Sequence, residues 1–227
     1  MAELSVVRAT GAVRAARIWH GVVAVVVLAA LVLQLVLLFV GGEDANSGQD
    51  TGAVGLGTRL WRFFSYFTVE SNLWVLVAAA LLVVDPLRDG RVWRVVRLNS
   101  LLGILITGVV YAVVLAPIVQ VEGWGLVATT GLHYIAPPAA VLGWLVFGPR
   151  PRLTWATVAA AFVWPVLWLG YIFTQGAVTG WYPYPFLDAG LLGFPTALRN
   201  ALLVLVVGIG CAVGFKLLDA RLPAPLS

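Results

Sequence analysis

Six apolar runs, separated by short polar stretches, organise the chain: residues 18–40, 63–84, 98–119, 126–147, 154–174 and 196–218. About 20 mainly apolar residues are needed for a helix to cross the hydrocarbon core of a bilayer, and every run reaches that length. The connections between them are too short to hold a soluble domain. The pattern therefore predicts a single all-α domain over residues 1–227, a polytopic membrane protein of six transmembrane helices. The first run follows Arg8, Arg14 and Arg17, as a signal peptide would. It is too long for a signal h-region, and Gly41-Gly42-Glu43-Asp44 after it offers no small-residue cleavage site, so it is read as an anchor.

Composition agrees with the pattern. Of 227 residues, 61% are apolar and only 11% charged, against about 25% charged in a soluble domain, and the mean hydropathy is +0.98. A soluble enzyme, a disulfide-stapled secreted domain and a disordered chain are excluded. The single cysteine, Cys211, cannot form an intramolecular disulfide. The net charge of +4 is distributed between the apolar runs and forms no patch for nucleic acid.

The placement of the basic residues predicts orientation. Arg8, Arg14 and Arg17 precede the first run, Arg88, Arg91, Arg94 and Arg97 lie between the second and third, and Arg150 and Arg152 between the fourth and fifth. With Lys216 and Arg221, 11 of the 14 basic residues fall on one side, leaving Arg59, Arg62 and Arg199 on the other. By the positive-inside rule both termini are expected in the cytoplasm of a cell-membrane protein, as an even number of spans requires. Of the outside connections, 41–58 reads as a mobile loop rich in Gly, Asp and Asn. Residues 181–188 (Trp-Tyr-Pro-Tyr-Pro-Phe-Leu-Asp) read either as an interfacial aromatic belt or as a lid over a pocket.

Polar side chains inside a membrane are costly and mark functional sites. Thr68 lies roughly 9 Å below the outer end of span two and His133 roughly 10 Å below that of span four, at 1.5 Å per residue. Two helices traversed in the same direction thus carry a hydroxyl and an imidazole at one depth. Gln34, Ser71, Asn72, Thr107, Tyr111, Thr129, Thr130 and Asn200 collect in the same outer layer, whereas the inner half is nearly all Val, Leu, Ala and Ile. Thr68, Ser71 and Asn72 share a helix face. Glu70 points about 160° away from Thr68; an ion pair with Arg199 is expected for it, the alternative being that Arg199 binds a substrate carboxylate. Pro137 and Pro138 remove the helical partners of the His133 and Tyr134 carbonyls, which puts an irregularity at the histidine. Pro165 and Pro117 predict further kinks.

No Gly-x-Ser-x-Gly elbow, His-Glu-x-x-His, Walker loop or dinucleotide fingerprint is present. Two histidines and one cysteine argue against a multi-His or thiolate metal site, and no cofactor is expected. What remains is a threonine and a histidine. A threonine hydroxyl needs an adjacent base to become a nucleophile, and neutral imidazole suits that role. Asn72, Ser71 or Tyr111 would supply donors to a developing oxyanion.

Tyr66-Phe67-Thr68-Val69-Glu70-Ser71-Asn72-Leu73, then Leu132-His133-Tyr134 with Pro138 five residues on, then residues 181–188, occur in that order. In this order and in span count, over nearly the whole chain, the sequence resembles the androgen-induced protein family and its bacterial six-span relatives. The resemblance implies an intramembrane threonine hydrolase of fatty acid esters of hydroxy fatty acids, with Thr68 as nucleophile and His133 as base. The animal members carry an acidic residue one turn after the threonine, where this chain has Ser71; Asp188 is the expected substitute for orienting the histidine. Arg199, Glu70 and Tyr184 are the expected substrate-binding residues, and membrane lipids or a lipid ester the expected partners. Two alternatives stay open: a non-catalytic lipid-binding or sensing protein with the same pocket, and a small transporter using Glu70, His133 and Arg199.

Overall fold

Unbroken runs of Val, Leu and Ala leave the backbone no partner but itself in an apolar medium, so helices are the outcome. The computed structural model describes residues 2–40, 54–223 and 226, with side chains described from Thr10 onward. Most of the loop expected over 41–58 lies outside the described residues. The chain is a multi-pass helical membrane protein, with no strand among the described residues. Its six helices long and apolar enough to cross a membrane are Thr10–Val40, Phe67–Val84, Arg91–Leu115, Gly123–Phe147, Trp155–Thr179 and Phe194–Arg221, hereafter spans one to six.

Span one belongs to helix α1 (Ala2–Val40). A short helix α2 (Leu56–Ser65) follows, a segment expected to be partly loop and partly span two. It ends at Tyr66, whose extended backbone (φ −73°, ψ 127°) separates it from α3 (Phe67–Val84). Span two is thus shorter than its apolar run.

The other irregularities track prolines. Span three is α4 (Arg91–Val110) closed by a π-helical turn, Tyr111–Leu115. There the Ala116 amide reaches back to the Tyr111 carbonyl at 2.7 Å, and Pro117 offers the Val113 carbonyl no donor. Span four is α5 (Gly123–Thr129), a π-helical turn Thr130–Ile135, and α6 (Ala136–Phe147). Pro137 and Pro138 strip the donors from one turn, and the backbone widens to compensate. Span five breaks at Phe162 between α7 (Trp155–Ala161) and α8 (Val163–Thr179); Pro165, four residues after Ala161, offers the Ala161 carbonyl no donor. A short α9 (Ala189–Leu192) leads into α10 (Phe194–Arg221), which is span six.

The bundle's outer surface is apolar, and its largely apolar interior holds a group of buried polar side chains. Val25, Val113, Leu167 and Val206 are exposed, whereas Gln34, Thr68, Ser71, Asn72, Thr107 and His133 are all at most 5% exposed. Small residues set the helix spacing. A Cβ on Gly131 would come within 2.7 Å of the Ala30 Cβ, and one on Gly108 within 2.8 Å of the Pro137 ring. At the arginine-rich end, Arg150 donates to the carbonyls of Trp144 (3.1 Å), Leu145 (2.9 Å) and Pro223 (3.2 Å), tying the last turn of α6 to the segment that follows span six.

Candidate active site

The two breaks in the backbone bring the threonine and the histidine together. The extended Tyr66 makes Thr68 the second residue of a helix, where amide N–H groups have no intrahelical acceptor. The widened turn of span four carries His133 on its inner face. The Thr68 Oγ1 stands 3.3 Å from the His133 Nε2, and both side chains are buried. The opposite ring nitrogen, Nδ1, lies 3.2 Å from the Thr129 carbonyl oxygen. A carbonyl only accepts, so Nδ1 carries the proton and Nε2 presents its lone pair to the threonine hydroxyl.

Tyr184 completes the arrangement. Its hydroxyl accepts from the Thr68 backbone N–H at 3.1 Å and lies 3.2 Å from the Thr68 Oγ1. With the threonine proton directed to His133, the tyrosine proton points to the Thr68 oxygen, and the network has one polarity from Tyr184 to the Thr129 carbonyl. The Tyr184 ring is held by Phe186, stacked at 5.4 Å, and by Tyr66 and Trp168 at 5.7 and 6.2 Å. The segment 181–188 therefore closes over the site, its Tyr184 buried. Below the imidazole lies Tyr111, its ring 3.9 Å away and nearly parallel at 25°. Both aromatic partners of this stack sit on π-helical turns.

Thr68 opens onto a partly open cavity lined by spans two, three, five and six and by Tyr184, Phe186 and Leu187, with an empty volume of about 810 Å³ that includes its open mouth. Its walls are mainly apolar, with Phe67, Trp164, Trp168, Leu169 and Leu205 among them. It runs along span three from Tyr111 to Asn99, roughly 18 Å at the helical rise. One leaflet of a bilayer whose hydrocarbon core is about 30 Å thick offers an acyl chain about 15 Å. Thr107 and Asn99 line the cavity with buried oxygens that have no hydrogen-bond partner.

Several expected roles fall to other residues. Asn72, expected to hold an oxyanion, donates to the carbonyls of Thr68 (2.9 Å) and Leu132 (3.3 Å), so it fastens span two to the widened turn of span four. Ser71 is fully buried on the side of Gly103, and neither residue lines the cavity. Glu70 does not pair with Arg199. Its carboxylate accepts from the Trp164 indole at 2.6 Å, and Arg199 is exposed and lines no part of the cavity. Asp188 does not orient His133; it caps α9, accepting from the amides of Gly190 (2.9 Å) and Leu191 (3.0 Å).

Asn99 and Trp164 were not singled out from the sequence. Asn99 stands where an apolar run begins, the position of an interfacial residue. The helix starts seven residues earlier, at Arg91, which carries Asn99 roughly 12 Å along it. A tryptophan among apolar residues reads as packing, and nothing in its spacing points to a carboxylate on another span. Among the described residues, no group of three or more His, Cys, Asp or Glu side chains is disposed to hold a metal ion.

Comparison of the chain with protein-family models, with curated proteins and with solved structures returns no match.

Proposed function

We propose that the protein is an intramembrane threonine hydrolase of lipid esters, related to the androgen-induced protein family that its motifs resemble. The observation that carries this reading is the Thr68 Oγ1–His133 Nε2 contact of 3.3 Å, with Nδ1 fixed to a carbonyl, at the mouth of a cavity as long as an acyl chain.

The chemistry follows from the hydrogen-bond polarity. Thr68 Oγ attacks the ester carbonyl carbon as its proton passes to His133 Nε2. The carbonyl oxygen becomes an oxyanion beside the Thr68 N–H and the Tyr184 O–H, a donor pair that includes the nucleophile's own amide at a helix N-terminus. The imidazolium has the Thr129 carbonyl at Nδ1 and the face of Tyr111 beneath it, the latter an attraction of about 0.5–2 kcal/mol. Collapse of the tetrahedral species breaks the bond to the alkoxy group, which takes the proton from His133 and leaves an acyl-threonine. Water, deprotonated by His133, then attacks that ester and releases the acid. The acyl chain lies along the cavity between spans three, five and six.

The positive-inside rule assigns the arginine-rich end to the cytoplasm and the Thr68 end to the outer leaflet, so a lipid ester would arrive from within the membrane. A second reading, lipid binding without turnover, is favoured by one observation: among the described residues no carboxylate is hydrogen-bonded to His133. Hydrolysis of a fluorogenic long-chain ester by purified protein in detergent separates the two. Wild type is expected to turn over, and Thr68→Val and His133→Ala to lose at least 100-fold with unchanged melting temperatures. A wild type no faster than the uncatalysed background would leave the binding reading in its place, and a Thr68→Val as fast as an active wild type would remove Thr68 as the nucleophile.

A further inference from the structure

The arginine-rich end holds a second pocket, remote from Thr68, with an empty volume of about 510 Å³. It is bounded by the start of span three, the Pro86–Asp89 turn before it, the connection between spans four and five, and the end of span six. Arg88, Arg94, Arg97 and Arg152 line it, with Asp89 and Asp219 as its only carboxylates among the described residues. With His20 neutral its charge is therefore +2.

Asp89 is committed to two arginines, whereas Asp219 makes no ion pair among the described residues and keeps one buried oxygen without a partner there. Asp89 takes Arg94 at 2.7 Å and Arg152 at 2.5 Å. One oxygen of Asp219 accepts the backbone amides of Arg152 and Leu153, both at 2.7 Å. Arg88 and Arg97 are left. The Arg88 guanidinium lies over the Trp93 ring, 5.4 Å from its centroid, and its Nε is buried with no partner. Arg97 is half-buried, and its side chain has no hydrogen bond or ion pair among the described residues. His20 lines the same pocket, is 4% exposed and packs its ring edge-on to Phe147; neither of its ring nitrogens is hydrogen-bonded among the described residues.

Half-buried cations without counter-ions are unfavourable unless an anion joins them. We propose that this pocket binds a phosphate group, held by Arg88 and Arg97 and flanked by His20. Planar guanidinium forks match phosphate oxygens bidentately, and two uncompensated positive charges fit one phosphate. Basic pockets between helices at the positively charged end are where anionic headgroups bind. Leu82, Trp93 and Phe147 on the same walls suit the glycerol and first methylenes of a phospholipid. The phosphate comes from an anionic lipid of that leaflet or from solution.

Thermal unfolding of the purified protein in detergent tests this, with phosphatidylglycerol, phosphatidylcholine or inorganic phosphate added at matched ionic strength. A bound phosphate at a hundred times its Kd is expected to raise the wild-type midpoint by ~5 °C or more. The rise should vanish in Arg97→Gln and in Arg88→Gln and persist in Arg221→Gln, which lies outside the pocket. A response to phosphatidylglycerol alone assigns the source to lipid, and an equal response to inorganic phosphate assigns it to solution. Without ligand, Arg97→Gln should melt no lower than wild type, because it removes an uncompensated charge. An Arg97→Gln variant that melts well below wild type, or that keeps the full ligand response together with Arg88→Gln, overturns the proposal. So does a wild type that responds to none of the additives.

Discussion

Replacing Tyr184 with phenylalanine isolates one hydroxyl at the centre of the proposed chemistry. The ring keeps its stacking on Phe186 and its edge contacts with Tyr66 and Trp168, so the segment 181–188 should stay closed. What is lost is the oxygen that accepts from the Thr68 amide at 3.1 Å and touches the Thr68 hydroxyl at 3.2 Å. In the resting protein the Thr68 N–H is then left buried without an acceptor, a cost of about 1–3 kcal/mol. In the transition state one of the two oxyanion donors is missing, which in comparable sites lowers kcat by about 100- to 1,000-fold, or about 2.7–4 kcal/mol. The assay is initial-rate hydrolysis of a fluorogenic long-chain ester in detergent, with the melting temperature measured on the same preparation. Tyr184→Phe should fall at least 30-fold in kcat, with KM changed little because the aromatic ring that lines the acyl cavity is kept. A variant that melts like wild type and works within three-fold of it would refute the oxyanion role of Tyr184.

Three further substitutions probe the supports of the site. Tyr111→Leu removes the face stacked 3.9 Å from the imidazole, and loss of about 0.5–2 kcal/mol from the imidazolium should slow acylation by roughly 2- to 30-fold, as read by single-turnover kinetics. Gly108→Ala places a Cβ 2.8 Å from the Pro137 ring and 3.3 Å from the His133 carbonyl. Because the obstacle is the proline ring directly after the widened turn, the turn must shift; overpacking should lower stability by about 1–3 kcal/mol and reduce hydrolysis more than it reduces lipid binding. Asp89, on the turn before span three, is held below the ordinary aspartate value of 3.8 chiefly by its hydrogen bond to Arg94, with Arg152 contributing. A depressed carboxyl value means stability that is fully present above 3.8 and is lost as the pH falls through the lower folded-state value. The melting-temperature difference between wild type and Asp89→Asn should therefore be constant from pH 8 to 5 and shrink only in stronger acid.

Six apolar runs of spanning length made the architecture legible, because length and hydrophobicity alone decide which segments cross a bilayer. Depth made the site legible as well: Thr68 and His133 fall at matching distances along two helices of the same direction, and they meet. The prolines at 137, 138 and 165 marked real breaks. The break at Tyr66 carried no proline or glycine and was invisible, yet it is what puts Thr68 on a helix N-terminus. Partner choice was the least legible level. Glu70 and Arg199 have opposite charges at similar depth, but the carboxylate lies against span five, where the Trp164 indole reaches it first. Asn72 looked like a free donor, although its amide is spent on two backbone carbonyls, one in its own helix and one in span four. Such assignments depend on the rotation of each helix within the bundle, which a periodicity constrains only against the helix's own axis.

If Thr68 is a nucleophile activated by His133, covalent capture detects it without knowledge of the natural substrate. The purified protein would be treated with a long-chain alkyl fluorophosphonate and digested, and the modified residue located by mass spectrometry. One phosphonylated site is expected, on Thr68, absent from His133→Ala while that variant remains folded by thermal shift. A wild type that stays unmodified, or an adduct on another residue that persists in Thr68→Val, would contradict a nucleophilic Thr68.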